Sequence, residues 1–331
     1  MARYAVQELI TGFIATQALH AASKLAIFDA LSARPMTASE IASAVGCNEE
    51  NAGRLLRFLT SVDVLHEDEN ERFTLTKEGE TLCSDHPASM RAWALLFGEP
   101  FIWNSWGRFE DAIRYGKPGF DCAYGQRFFD YLNEHPVDSA IFNAAMSSSS
   151  GHECAAILAS YDFSGISRIA DIGGGQGTLL RGILEQYPDA RGLLCDLPSV
   201  VSGANDGADA NIVARCECVG INFFESVPPG CDIYILKKIV HDWNDAQVTA
   251  LFRNCRQAMS RQGRILVVES IVQSSNEADP AKWKDLNMLA LVTGRERTAE
   301  EFHGLLDAAG FQVTRILGAG SLSIIEAAPK P

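Results

Sequence analysis

The sequence lacks long hydrophobic runs, paired cysteine motifs and an excess of basic residues. Its 331 residues contain no apolar run that approaches the length of a membrane span, and no basic start with a signal-type apolar segment. Nine cysteines without a C-x-x-C pair favour reduced thiols in a cytoplasmic protein. With 42 acidic against 28 basic side chains, a net charge of -14 disfavours nucleic acid and anionic membranes as partners.

The dinucleotide-binding pattern G-x-G-x-x-G is also absent. Gly173, Gly175 and Gly177 instead follow an apolar run at G-x-G-x-G spacing, where a strand is predicted to turn into a helix. Asp171, directly before these glycines, would repel a phosphate but suits a cation such as an ammonium group. Asp196 ends the next predicted strand and can accept hydrogen bonds from both ribose hydroxyls. Together these acids favour a nucleoside with a cationic amino-acid tail, such as S-adenosylmethionine, over a tight turn that binds no ligand.

The first 90 residues predict a winged-helix domain. A helical stretch over residues 5–31 has one apolar face, and Thr37 with Glu40 forms a capping box for a second helix. Asn48 caps a third helix, and residues 64–67 and 72–75 predict a hairpin. The tip of this wing is acidic and would repel phosphates, which favours dimerisation or scaffolding over DNA binding.

Residues 91–150 are rich in large aromatic side chains. The pattern predicts short helices that form a cap over an apolar pocket for a flat substrate. For any single ring, packing in a hydrophobic core is the simpler explanation, and only the rings taken together indicate a pocket.

After Gly151 the sequence alternates between predicted strands and helices, which indicates a doubly wound α/β sheet. A hairpin at residues 318–320 makes the final strand antiparallel to an otherwise mostly parallel sheet. The predicted strands are residues 168–172, 192–196, 212–222, 232–239, 264–269, 311–317 and 321–327. Ligands bind at the carboxyl ends of such strands, where Asp171, Asp196, Asn222, His241 and Glu269 are expected to converge. The predicted domains are residues 1–90, 91–150 and 151–331.

His241 is the candidate catalytic base. Asn244 and Gln247 form a capping-box variant that leaves His241 just outside the following helix, at a strand end. An ordinary histidine pKa of about 6.5 against about 10 for a phenol makes full prior deprotonation cost roughly 5 kcal/mol, so the proton should move as the new bond forms. Either Glu269 or Glu296 can orient the ring, whereas a lone histidine would more simply be structural.

Four motifs carry a resemblance to a known family: Asp171-Ile172-Gly173-Gly174-Gly175, Asp196-Leu197-Pro198, His241-Asp242-Trp243 and Glu296-Arg297-Thr298. With them, nearly the whole chain resembles the small-molecule O-methyltransferases related to plant caffeate and flavonoid enzymes and to bacterial polyketide and phenazine enzymes. The resemblance implies a class I methyltransferase Rossmann-like sheet with an N-terminal winged-helix dimerisation domain. It also implies an intertwined homodimer that uses S-adenosylmethionine and releases S-adenosylhomocysteine.

The resemblance implies a role for individual residues by position. His241 matches the general base, and Glu269 and Glu296 match the two glutamates that bracket it. The cofactor positions are Asp171, Gly173, Gly175, Asp196, Leu197, Asn222, Phe223 and Lys237. The substrate positions are Phe142, Met146, Asp242 and Met288, although Met146 fits a core residue equally well. Asn222 replaces the usual aspartate, which removes a charge from the adenine contact but keeps a hydrogen-bonding side chain.

The expected activity is methylation of a phenolic hydroxyl on an aromatic natural product. No metal is expected, because nothing resembles the carboxylate cluster with which a magnesium-dependent catechol enzyme holds its ion. Three alternatives stay open: N-methylation of a heteroaromatic ring, cyclisation or hydroxylation with retained S-adenosylmethionine, and a non-enzymatic regulator built on the winged helix.

Overall fold

A computed structural model describes residues 6–204 and 209–331 of the protein. The chain divides into two compact units: Met1–Gly107 with Phe128–Ser149, and Arg108–Arg127 with Ser150–Pro331. The division into three domains at residues 90 and 150 stays a prediction. Ala5, where the first helix is predicted to begin, lies outside the described residues.

Helices and a small sheet make up the described chain from residue 6 to residue 160. The elements are α1 (Val6–Lys24), α2 (Ile27–Ser32), β1 (Met36–Thr37), α3 (Ala38–Val45), α4 (Glu49–Ser61), β2 (Leu65–Glu67), β3 (Arg72–Leu75), α5 (Lys77–Glu80), α6 (Arg91–Gly98), α7 (Pro100–Gly107), α8 (Phe109–Tyr115), α9 (Gly119–Tyr124), α10 (Phe128–Glu134) and α11 (Pro136–Ser160). The strands form an antiparallel sheet with the order β1-β3-β2. Helix α11 begins in the first unit and ends in the second.

Side-chain caps begin the helices of the first unit where the sequence predicts them. Thr37 and Glu40 form a reciprocal capping box at α3, and the Asn48 side chain accepts a hydrogen bond from the Asn51 N–H at α4. Each cap pairs backbone donors that a helix N-terminus otherwise leaves without partners. The hairpin of β2 and β3 is also confirmed.

The predicted first helix over residues 5–31 is wrong in its continuity. Ala26 adopts a left-handed conformation, with φ 57°, and separates α1 from α2. After this break Ile27 and Phe28 are buried in the core of the unit, whereas Ile10 and Phe13 on α1 are exposed. The break therefore ends α1 just before the residues of α2 that enter this core.

The second unit is built around a seven-stranded sheet. Its elements after α11 are β4 (Arg168–Ile172), α12 (Thr178–Gln186), β5 (Arg191–Asp196), α13 (Pro198–Val201), α14 (Ala210–Val213), β6 (Cys216–Gly220), β7 (Ile233–Lys237), α15 (Asp245–Ala258), β8 (Arg264–Glu269), α16 (Pro280–Leu291), α17 (Ala299–Ala308), β9 (Phe311–Ala319) and β10 (Leu322–Pro329). The strand order is β6-β5-β4-β7-β8-β10-β9. Strands β4 to β8 pair in parallel, and β10 is antiparallel to both β8 and β9. The predicted sheet is confirmed.

Both faces of this sheet are buried. Along β7, Ile233 and Ile235 enter one hydrophobic core, whereas Tyr234 and Leu236 enter another. Strands that are buried on both faces appear in a sequence as continuous apolar runs rather than as alternating patterns. The continuous apolar runs therefore predict a doubly wound sheet, which is covered on both faces.

Two predicted boundaries are wrong. The sequence predicts one strand over residues 212–222, but helix α14 extends to Val213 and β6 begins only at Cys216. The predicted hairpin turn at residues 318–320 also lies later, because Ala319 still pairs with Leu322. Short apolar stretches suit a strand or a helix turn equally well, so sequence periodicity does not fix where one ends.

No helix among the described residues is long and apolar enough to cross a membrane. The nine cysteines are free, and Cys195, Cys231 and Cys255 are buried beside the central sheet.

Candidate active site

The glycine-rich turn between β4 and α12 exposes backbone that a ligand can approach. Gly173, Gly175 and Gly177 have φ angles of 72°, 57° and 75°, in the left-handed region that favours glycine. A Cβ atom at Gly175 would meet nothing within 4 Å, so the backbone faces open space there. A Cβ atom at Gly173 would lie 2.3 Å from Cδ1 of Ile239, so close packing also requires a glycine at that position.

Asp196 lies at the end of β5, beside this turn. Its Oδ2 accepts a hydrogen bond from the Gly175 N–H at 2.9 Å, and its Oδ1 accepts one from the Leu197 N–H at 2.7 Å. Burial raises the pKa of Asp196, and these two hydrogen bonds oppose the rise. The carboxylate is thus held at the edge of the open turn, where it can exchange these contacts for ligand hydroxyls.

Asp171 lies at the end of β4 and is almost completely buried. Burial raises its pKa to about 7, Lys237 opposes the rise and Asp196 adds to it. A cation bound beside Asp171 would favour its charged form. Lys237 forms an ion pair with a different acid, because its ammonium lies 2.6 Å from Oε2 of Glu153. A cation bound beside Asp171 would therefore leave this ion pair in place.

Asn222 and Phe223 follow β6, the edge strand next to β5. The Asn222 side chain accepts a hydrogen bond from the Phe224 N–H at 3.1 Å and donates one to Glu225 at 2.9 Å. Phe223 meets Trp243 edge to face, with the ring centroids 6.0 Å apart. The ends of the neighbouring strands β4, β5 and β6 therefore carry Asp171, Asp196, and Asn222 with Phe223. In that order, these groups suit an amino-acid tail, a ribose and a base.

His241 lies in a short 3-10 turn, Val240–Asp242, after β7. Glu269 at the end of β8 holds this turn: its Oε1 accepts hydrogen bonds from the backbone N–H groups of Val240 and His241 at 2.8 and 3.2 Å. The other oxygen, Oε2, lies 2.8 Å from His241 Nδ1, although the two atoms are not aligned for a hydrogen bond. Glu296 Oε1 lies 3.6 Å from the same nitrogen, so both glutamates that the sequence predicts near His241 face Nδ1.

The second nitrogen, Nε2, points away from the two glutamates and lies 3.6 Å from Asp242 Oδ1. Burial lowers the pKa of His241, but Glu269, Asp242 and Glu296 outweigh burial and raise it to about 9. Burial also raises the pKa of Glu296 to about 7, although His241 opposes this change. The site therefore contains a histidine that attracts a proton more strongly than a free imidazole does.

Two residues that position this site are not identifiable as such from the sequence. Arg297 is fully buried and donates hydrogen bonds to the backbone carbonyls of Val240 and Trp243, at 2.9 and 2.8 Å, and to Asp245. A Cβ atom at Gly294 would lie 1.9 Å from the His241 carbonyl oxygen, so only glycine fits against the turn. Both residues lie within two positions of Glu296, but nothing local indicates that they contact the turn of His241.

Arg297→Met is expected to lower the free energy of unfolding by about 3–5 kcal/mol, because it leaves the carbonyls of Val240 and Trp243 without their donor and removes one of the two arginines that pair with Asp245. Arg295→Met is the matched control, since Arg295 also pairs with Asp245 but is 46% exposed. Exposed pairs contribute at most about 1 kcal/mol. Urea denaturation of both variants measures the difference, and equal losses would contradict the anchoring role of Arg297.

The four predicted substrate positions are divided between the two units. Asp242 and Met288 belong to the second unit, where Met288 is half-buried on α16. Phe142 and Met146 belong to the first unit, where Phe142 meets Phe128 edge to face at a centroid distance of 5.2 Å. The substrate roles of all four residues stay predictions.

Comparison with known families matches both parts of the chain. Residues 106–312 match the O-methyltransferase domain, and residues 7–85 match the O-methyltransferase dimerisation domain. The phenazine O-methyltransferase of Lysobacter antibioticus is 38% identical over 324 residues, which cover 97% of this chain and 95% of that protein. The 8-amino-8-demethylriboflavin N,N-dimethyltransferase of Streptomyces davaonensis is 35% identical and covers 93% of this chain and 90% of that protein.

Solved structures show the same similarity. An O-methyltransferase from neocarzinostatin biosynthesis, in complex with S-adenosyl-L-homocysteine and 1,4-dihydroxy-2-naphthoic acid, matches with a TM-score of 0.86 and 30% identity. The match covers 99% of this chain and 100% of that chain.

Proposed function

The chain belongs to the S-adenosylmethionine-dependent O-methyltransferases that carry an N-terminal dimerisation domain, and we propose that it methylates a phenolic hydroxyl of an aromatic natural product, with His241 as the general base. The observation that carries this proposal is the position of two buried glutamates, Glu269 and Glu296, whose oxygens lie 2.8 and 3.6 Å from His241 Nδ1, which leaves Nε2 for the acceptor.

S-adenosylmethionine, when bound, supplies an electrophilic methyl group on a sulfonium. The open backbone at Gly175 and the acids at the ends of β4 and β5 fit this cofactor. Asp171 would hold the ammonium of its tail, and Asp196 would accept hydrogen bonds from the ribose hydroxyls. For the adenine we assign Leu197, Asn222 and Phe223. Gly173 and Lys237 complete the cofactor site on the amino-acid side.

Nε2 of His241 would accept the phenol proton as the phenol oxygen attacks the methyl group. The pKa of His241, at about 9, lies closer to the pKa of a phenol, about 10, than that of an ordinary histidine does, so the proton transfer costs less than the roughly 5 kcal/mol expected for an ordinary histidine. Glu269, Asp242 and Glu296 provide this gain by stabilising the imidazolium. In the second unit, Asp242 and Met288 would contact the acceptor; the substrate roles of Phe142 and Met146 in the first unit stay predictions.

A shift in the pH profile tests the role of Glu296. Its carboxylate lies 3.6 Å from His241 and raises the pKa of the histidine. In Glu296→Gln that pKa should fall, so the neutral base should form at lower pH and the rising limb of kcat/KM should move down by about one pH unit. Glu300→Gln, at an exposed position on α17, is the control. A profile that stays in place or moves to higher pH would exclude this electrostatic role.

Removal of metal ions is expected to leave turnover unchanged. Among the described residues, His241, Glu269 and Glu296 form a group whose candidate ligand atoms lie within 4.8 Å of one another, so they could hold a metal ion. The proposed mechanism uses them for the proton instead, and it requires no Lewis acid. Kinetics after dialysis against EDTA measure this, and a loss of turnover that added divalent cation restores would assign the three side chains to a metal.

We further propose that the protein is a homodimer through its first unit. The dimerisation-domain match over residues 7–85 supports this assembly. Val6, Ile10 and Phe13 on α1 also leave 72%, 69% and 56% of their surface exposed within one chain. A second copy of the chain would cover this apolar face.

N-methylation is the second candidate, because one relative of 35% identity is named as an N,N-dimethyltransferase. Both candidates are tested by mass spectrometry after incubation with S-adenosylmethionine and a panel of phenols, aromatic amines and polycyclic aromatics. A phenol that gains one methyl group, with S-adenosylhomocysteine formed in step, supports O-methylation, and a methylated amine supports the second candidate. Bound cofactor with no methylated product across the panel would favour cyclisation or hydroxylation.

A further inference from the structure

Two neighbouring lysines of the second unit, Lys237 and Lys238, share one carboxylate as their close ion-pair partner. The single carboxylate of Glu153 pairs with both Lys237, at 2.6 Å, and Lys238, at 3.3 Å. The side chains of these three paired residues are less than one-fifth exposed. Burial lowers the pKa of Lys238, which shows that its charge is costly, and Glu153 compensates for only part of that cost. Lys238 therefore has only a share of one carboxylate as its close ion-pair partner.

Lys284 is held by a hydroxyl group rather than by a carboxylate. It lies on α16, and its Nζ donates a hydrogen bond to Oγ of Ser270 at 2.8 Å. In the part of the chain that the structure describes, no carboxylate lies within 4.0 Å of this ammonium. Ser270 directly follows Glu269, so this bond holds Lys284 beside the end of β8, where the catalytic cluster is formed.

The two lysines act on each other and on the catalytic cluster. Lys284 contributes to the lowered pKa of Lys238 and opposes the rise in that of Glu296. Lys238 in turn opposes the rise in the pKa of Asp242. Both ammonium groups are therefore close enough to His241 and its acids to influence anything bound there.

The same face of α16 carries a polar atom without a partner. Oδ1 of Asn287 is buried and accepts no hydrogen bond within the described residues. Asn287 lies one turn after Lys284 and directly before Met288, the predicted substrate contact. A buried acceptor without a donor is costly, and a ligand group can relieve that cost.

We propose that Lys238 and Lys284 form a subsite for a carboxylate on the acceptor, so that the preferred substrate is an aromatic hydroxy acid whose acid group lies close to the methylated hydroxyl. Asn287 accepts a hydrogen bond from a further donor on the same ring system. The proposal rests on the proposed function, because it requires the acceptor to bind beside His241. A carboxylate could also come from the amino-acid tail of the cofactor, and the experiment separates these two sources.

The test uses a hydroxynaphthoic acid with adjacent hydroxyl and carboxylate groups, together with the corresponding hydroxynaphthamide. Isothermal titration measures the binding of both to the full chain in the presence of S-adenosylhomocysteine, and separately the binding of S-adenosylhomocysteine alone. Hydrogen bonds to charged groups predict that the wild-type protein prefers the acid by about tenfold to a hundredfold. Lys284→Met and Lys238→Met should each remove most of this preference and leave the affinity for S-adenosylhomocysteine unchanged.

Lys282→Met is the matched control, since it removes the same charge from the same helix and Lys282 contacts only backbone carbonyls of Ser275 and Glu277 among the described residues. This variant should keep the preference for the acid. Equal affinity of the wild type for acid and amide, or no binding of the acid, would overturn the proposal. Loss of S-adenosylhomocysteine binding in the lysine variants would assign the subsite to the cofactor. Lysine-dependent acid binding without any methylated product would keep the subsite and reject the proposed function.

Discussion

His241→Ala is expected to reduce kcat by about two to four orders of magnitude, the usual contribution of a positioned general base. Without His241, the phenol would have to lose its proton to water. In the described site, no other side chain takes the place of the imidazole that Glu269 and Glu296 face. Binding of S-adenosylhomocysteine should survive, because the glycine turn and Asp196 belong to other strands.

The matched control is His303→Ala, which removes an exposed histidine from α17. Steady-state kinetics and titration with S-adenosylhomocysteine should be measured on both variants. A His241→Ala enzyme with full turnover would remove this residue from the mechanism. If turnover and cofactor binding were lost together, the substitution would have disturbed the fold rather than the proton transfer.

Asp196→Ala is expected to weaken S-adenosylhomocysteine binding about a hundredfold, or about 2.7 kcal/mol. A carboxylate that accepts from both ribose hydroxyls makes two charge-assisted hydrogen bonds, each worth about 1.5–3 kcal/mol. Part of that gain is offset, because the ribose replaces the backbone N–H groups of Gly175 and Leu197 as donors to the carboxylate. Isothermal titration measures the change directly and requires no acceptor.

Asp189→Ala is the control for this substitution, because Asp189 is exposed and lies just before the opposite end of β5. It should bind S-adenosylhomocysteine as the wild type does. Thermal melts of both variants report whether the fold is intact. Unchanged affinity in Asp196→Ala would show that the ribose does not lie at the end of β5, which would require another location for the cofactor.

The central sheet could be predicted from the sequence because its signals are local. Continuous apolar runs predict strands buried on both faces, and β4 and β8 have the predicted boundaries. Capping boxes at Asn244 and Thr37 are also local, since each cap depends on residues three positions apart. Boundaries failed where short apolar segments suit more than one conformation, as at α14 and at Ala26.

The chemical character of the site was predictable in part. Parallel strands bring their carboxyl ends to one edge, so the meeting of His241 and Glu269 followed from strand order. The sequence left open which glutamate faces the ring, and the structure places both on Nδ1, with Glu269 closer. Their combined effect on the pKa of His241 depends on distances of a few ångströms, which no pattern of residues contains.

By itself, the sequence determined the order of the strands and helices, the glycine turn and the types of residue at the strand ends, because these depend on near neighbours along the chain. Only the tertiary structure decided that Arg297 and Gly294 support the turn of His241 and that Glu153 is shared by two lysines. Arg297 and Val240 are 57 positions apart in the sequence, and Lys238 and Glu153 are 85 positions apart. Such contacts form only when packing brings distant segments together, and the balance of charge that they create is a property of the fold.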